Sequence, residues 1–303
     1  KSYQNLCQFK ALQTKSFVLI REELTPRDTT HMARHESIIT DSLLSNEDNA
    51  ISFKARMAYH YIKRNYFNAK GDLHTAHNHA VKSVSLLEAK PEKISDEPKA
   101  YIIALHNLLI AQISLKKYTE FLYTHKKLRT LSFDSSLEQT ELFITSSFLE
   151  LAFYAATGEF KKGIVLVNEI SKGLEQHKGK IHKVAEIVFF YSIFNIYFGA
   201  GDYSKSLQWL NKIINDTANT ETIPDIYCFS RINNLIVHYE LGNMDILEYI
   251  VKSTYRFLSQ RNRLYKVENS ILNFIRSKLP KVDTARKLIH AFKELKTELE
   301  EIT

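Results

Sequence analysis

Apolar residues recur at three- and four-residue intervals along almost the whole chain, the spacing of a helix with one buried face. The last segment shows it plainly: Ala285, Leu288, Ile289, Phe292, Leu295 and Leu299 share a stripe, with charged residues between them. Read this way, the pattern predicts about fourteen helices, near 3–23, 26–45, 50–69, 73–89, 98–114, 117–130, 136–157, 160–176, 181–199, 203–216, 224–241, 244–259, 263–279 and 283–301. Several starts carry local signals. Thr25-Pro26-Arg27-Asp28 offers a cap, a proline for the first turn and an acid beside the helix dipole. Ser135-Ser136-Leu137-Glu138 has the spacing of a capping box. Pro98 and Pro224 each fit a first turn. The longest apolar stretch, Ile187 to Ala200, contains Ser192 and Asn195 and falls short of the roughly 20 residues a bilayer needs. It reads as a buried helix, with no membrane span expected.

The helices are arranged in a repeat. A helix ends on Gly, a polar residue follows, and then an aromatic or apolar residue opens the next helix. The marks are Gly71-Asp72-Leu73, Gly158-Glu159-Phe160, Gly201-Asp202-Tyr203 and Gly242-Asn243-Met244, with Lys116-Lys117-Tyr118 as a degenerate copy. Successive marks lie 45, 42, 43 and 41 residues apart, and four of the eight glycines sit on them. The chemistry suits a helical hairpin. Glycine reaches the left-handed conformation that closes a helix, and Asp or Asn can cap the one that follows. Five residues after each mark, where two helices cross closely, stand Ala76, Phe121, Gly163, Ser206 and Leu247. Three of these are small.

Composition narrows the class further. Eight Gly and five Pro in 303 residues fall well below the usual ~7% and ~5%, so tight turns are few. That argues against β-sandwiches, barrels and glycine-looped nucleotide folds. A hydrophobic share of 44% with 25% charged residues supports a packed core rather than disorder. Cys7 and Cys228 lie far apart without a CxxC and read as free thiols of a reducing compartment. The first 20 residues are polar and mixed, unlike a signal peptide, which points to the cytoplasm.

At this turn the sequence resembles the tetratricopeptide repeat, which shows Gly, a polar residue, Tyr and then a small residue. Gly201-Asp202-Tyr203 with Ser206, and Gly158-Glu159-Phe160 with Gly163, match best. Phe67, Tyr154 and Tyr197 supply an aromatic four residues before the glycine. The period of 41–45 exceeds the 34 of that family, and its Trp-Leu-Gly signature is not visible. The resemblance covers roughly residues 50–260. It implies an all-α, right-handed solenoid of antiparallel helix pairs. Residues 1–48 would form an N-terminal hairpin, 49–262 five repeat hairpins and 263–303 capping helices, all in one continuous domain. It also implies a concave groove lined by the first helix of each pair. Positions ten and six before the mark would face it: Tyr61 and Asn65, His106, Phe148, and Tyr191 and Asn195. Asn107 and Asn233 lie nearby, as does Asn68. Asn pairs with both donor and acceptor of a backbone amide, and Tyr offers apolar area with a polar tip.

Charge adds a second candidate surface. Residues 251–293 hold eleven Lys or Arg against Glu268 and Asp283, or +9, more than the +7 of the whole chain. Arg256, Arg261, Arg263, Lys266 and Arg276 form this basic patch, which suits an acidic partner. Nucleic acid is the less favoured partner, because no recognised nucleic-acid motif accompanies the charge. Histidine pairs such as His31/His35, and the cluster His74, His77 and His79, lack the further ligands of a zinc site, so no metal or other cofactor is expected. No nucleophile elbow, phosphate loop or dinucleotide fingerprint appears, so a catalytic role is not expected. The expectation is a non-catalytic scaffold that binds a protein or peptide. The alternative is the peptide-sensing part of a bacterial transcription regulator, with its DNA-binding head upstream of Lys1.

Overall fold

A computed structural model describes residues 1–22, 26, 29–216 and 223–302. Among them the fold is all-α. The first two helices, α1 (Ser2–Glu22) and α2 (Thr29–Ile39), are followed by two short 3-10 turns, Ser42–Leu44 and Glu47–Asn49. Asp41 and Asn46 cap these turns with side-chain oxygens. Then come α3 (Phe53–Ala69), α4 (Leu73–Glu88), α5 (Pro91–Asp96), α6 (Pro98–Ser114), α7 (Tyr118–Arg129) and α8 (Ser136–Thr157). The chain continues through α9 (Phe160–Gln176), α10 (Lys183–Gly199), α11 (Tyr203–Ile214), α12 (Pro224–Glu240) and α13 (Met244–Gln260). It closes with α14 (Lys266–Asn273) and α15 (Ala285–Ile302).

Every repeat mark is a left-handed turn. Gly71, Gly158, Gly201 and Gly242 have φ between +73° and +81°, and Lys116 takes the same region at +57°. After four of the marks the next N–H reaches back across the helix end. Lys117 donates to Gln112, Glu159 to Tyr154, Asp202 to Tyr197 and Asn243 to His238, at 2.8–3.0 Å. These bonds satisfy carbonyls that a helix end otherwise leaves unpaired. Asp72 and Asp202 cap α4 and α11 through Thr75 and Lys205 N–H. Glu159 and Asn243 make no such side-chain cap.

All five residues at the crossing position are buried. Gly163 brings α9 against α10: a Cβ there would stand 2.6 Å from Ile196 Cδ1. Phe121 instead fills its crossing by stacking on Phe153, with ring centroids 4.6 Å apart. The helices pack largely in chain order, α3 on α4, α4 on α6, α6 on α8, α8 on α10 and α10 on α11. The core is accordingly a series of clusters joined by shared side chains. Phe148 and Tyr154 belong to both the α6–α8 cluster and the α8–α10 cluster.

Four expectations need correction. The helix expected at 26–45 is shorter, because Asp41 and Asn46 divert the chain into the 3-10 turns. The helix expected at 263–279 ends at Asn273 and runs through a π turn, Phe274–Lys278, into a 3-10 turn carrying Pro280, which has no N–H to extend the ladder. The Ser135 hydroxyl makes no cap, so the capping box is absent. The short helix α5, led by Pro91, was not anticipated. The Thr25-Pro26-Arg27-Asp28 signal lies, apart from Pro26, outside the described residues.

Candidate functional site

The lead helices α3, α6, α8, α10 and α12 carry the candidate contact residues, and side chains from neighbouring helices meet in three groups. In the first, Arg64 joins the expected residues of α3 and α6. Its Nη1 donates to Asn107 Oδ1 at 2.9 Å, its Nη2 donates to Asn65 Oδ1, and its guanidinium lies 5.3 Å from the Tyr61 ring centroid. Asn65 is buried and donates its amide to Ser16 Oγ on α1 at 3.0 Å. It therefore braces Arg64 from behind rather than facing a groove. In the second group, His106 of α6 stacks on Phe148 of α8, with centroids 5.9 Å apart. In the third, Asn233 of α12 donates to the Tyr191 hydroxyl of α10 at 3.2 Å. Asn195 bonds back to the Tyr191 carbonyl within its own helix at 2.9 Å.

Burial shapes the electrostatics of these groups. It lowers the Arg64 pKa to about 10. Burial, followed by repulsion from Arg64, takes His106 down to about 4, so this imidazole is neutral at pH 7. Burial raises the Tyr191 phenol, and the bond from Asn233 opposes that rise.

Arg64 was missed in the sequence. The register from Gly71 selects positions 61 and 65, and Arg64 sits between them in a Lys-Arg-Asn run that looks like a solvated face. The available signal was its place one helical turn after Tyr61.

The residues of the basic segment take different settings. Arg263 turns inward to Asp225 at 3.3 Å. Arg261 and Arg231 both lie over the Phe257 ring, 4.0 and 4.1 Å from its centroid. Arg256 and Arg276 line a shallow cavity of about 360 Å³ together with Lys252 and Tyr255. Lys266 is exposed at the start of α14.

Elsewhere, His60 and His79 face each other Nδ1 to Nδ1 at 3.0 Å, and His60 Nε2 lies 3.2 Å from Glu47. Among the described residues no three His, Cys, Asp or Glu side chains converge as a metal set. Cys7 is exposed and Cys228 buried, and both are free thiols. No helix among the described residues is long and apolar enough to cross a membrane. No protein family, curated protein or solved structure matches this chain.

Proposed function

We propose that this chain is a non-catalytic, tetratricopeptide-like scaffold that binds a protein or peptide along the faces of its lead helices. The observation that carries this reading is the succession of Tyr61, His106, Phe148 and Tyr191, one on each of α3, α6, α8 and α10 at the same distance from its turn, each meeting a ring, amide or guanidinium. Aromatic bodies with polar tips, set beside amides, match the alternation of side chain and backbone in a peptide.

A photo-crosslinking amino acid at position 191 tests it, with position 249 on the opposite helix of the next hairpin as the control. Tyr249 is 76% exposed, so the control side chain is reachable. In cells of the source organism, position 191 is expected to crosslink a protein or peptide that position 249 does not. Equal products at both positions, or products at 249 alone, would remove the lead-helix face as the binding surface.

A further inference from the structure

A cavity of about 560 Å³ lies among α1, α3, α4, α5 and α6. This size is within the ~300–1,000 Å³ of pockets that hold small ligands. Phe17, Phe53, Met57 and Ile103 make its lining mainly apolar, and Tyr61, Arg64 and Asn107 add polar atoms to the wall. Lys10, Lys54, Lys93 and Glu97 also line it, Lys54 paired with Glu97, Lys93 with Asp96 and Lys10 with the Gln13 oxygen.

Arg64 is the unusual member. Its nitrogen partners are two neutral amide oxygens, on Asn65 and Asn107. Its Nε–H is buried with no acceptor, and among the described residues no carboxylate pairs with it. The residue is half-buried, and a cation drawn partly out of water without a counter-ion is costly. Nor is this guanidinium loose: Asn65, itself held by Ser16, fixes one edge, and the Tyr61 ring covers a face. It is a preset cation beside an apolar cavity. A guanidinium pairs best with a carboxylate, which accepts two parallel N–H bonds.

Resting on the peptide-binding reading above, we propose that this cavity takes the end of a short apolar peptide and holds its free C-terminal carboxylate on Arg64. The walls favour a peptide over a plain acyl chain. Asn107 uses its oxygen on Arg64, and its amide nitrogen has no partner among the described residues. Gln13 accepts from Lys10 through its oxygen, and its own amide nitrogen likewise has no partner there. Both amides line the cavity, where they match peptide carbonyls and would be wasted on methylenes.

The test uses the full chain and two pools of N-acetylated tripeptides built from Leu, Ile, Val, Phe and Tyr. One pool has free C-termini and the other has amidated ones, and binding is read by native mass spectrometry with dodecanoate as a third probe. Free acids are expected to bind at least about tenfold tighter than the matching amides. Arg64→Gln should abolish that preference, so that acids bind no tighter than the matching amides. Arg64→Lys keeps the charge without the fork and should lose part of the preference, which keeps the test open if the Gln variant does not fold. Acids and amides binding alike, or a preference that survives both variants, would overturn the assignment of the carboxylate to Arg64. Dodecanoate binding tighter than every peptide acid would overturn the peptide as occupant. If neither pool binds, this pocket falls, while crosslinking at position 191 still judges the wider reading.

Discussion

Arg263 Nη2 donates a 2.8 Å hydrogen bond to the backbone carbonyl of Glu22, joining positions 241 residues apart. The same guanidinium reaches Asp225 through Nη1, and both of these side chains are largely buried, at 16% and 7% exposure. One residue of the basic run thus ties the end of α1 to the start of α12. Arg263→Ala removes one partner of a buried carboxylate and the contact to α1 together. It is expected to cost about 3 kcal/mol, read as a lower urea midpoint. Loss of less than about 0.5 kcal/mol, the range of an ordinary surface change, would show that the contact does not hold the fold.

Stability should fall with acid. Burial, then repulsion from His60, takes the His79 pKa down to about 4, and burial also lowers His60. In the unfolded chain both return to about 6.5 and bind protons first. The stability due to neutral imidazoles is therefore present above about pH 6.5, is lost as pH falls, and the loss levels off below about 4. His106 adds to the same window. Urea midpoints measured from pH 8 to pH 4 should decrease steadily below 6.5. A midpoint that stays flat or rises over that span would contradict the buried neutral histidines.

At Gly163, two effects of opposite sign compete. Alanine is the better helix former by roughly 1 kcal/mol. Its Cβ would meet Ile196 Cδ1 at 2.6 Å and Cγ2 at 2.9 Å in a buried contact. Overpacking of this kind costs about 1–3 kcal/mol, so Gly163→Ala is expected to destabilise. Ile196→Val removes the nearest atom, and the alanine should do less harm in that background. Strict additivity in the double-mutant cycle would show that the two side chains do not collide.

Equivalent turns should respond in opposite directions. Lys116 holds φ +57° without being glycine, so Lys116→Gly relieves a left-handed strain of about 1 kcal/mol. Gly158 holds φ +74° with open space around it, so Gly158→Ala adds strain without a clash. Thermal melts are expected to rise for the first and fall for the second. Shifts of the same sign would mean that the turns are not conformational equivalents.

The turns were legible because glycine chemistry is local. All five marks take the expected left-handed backbone, and α8 and α9 begin and end where the periodicity placed them. What escaped was set by contacts across the chain. Charge counting assigned Arg263 to an exposed patch, because Asp225 lies 38 residues away and Glu22 far beyond it. Register counting put Asn65 in a groove, although Ser16, 49 residues upstream, holds it. Arg64 stands in a Lys-Arg-Asn run with no local mark of its role, and only the packing of α6 brings Asn107 to it.

Helix α1 has Thr14 and Phe17 in the wall of the apolar cavity and ends at the carbonyl that Arg263 grips. In packing that runs mainly neighbour to neighbour, the cavity otherwise connects to α12 through α6, α8 and α10 in turn. Helix α1 touches cavity and clasp at once, so two distant stretches of the chain sit one element apart.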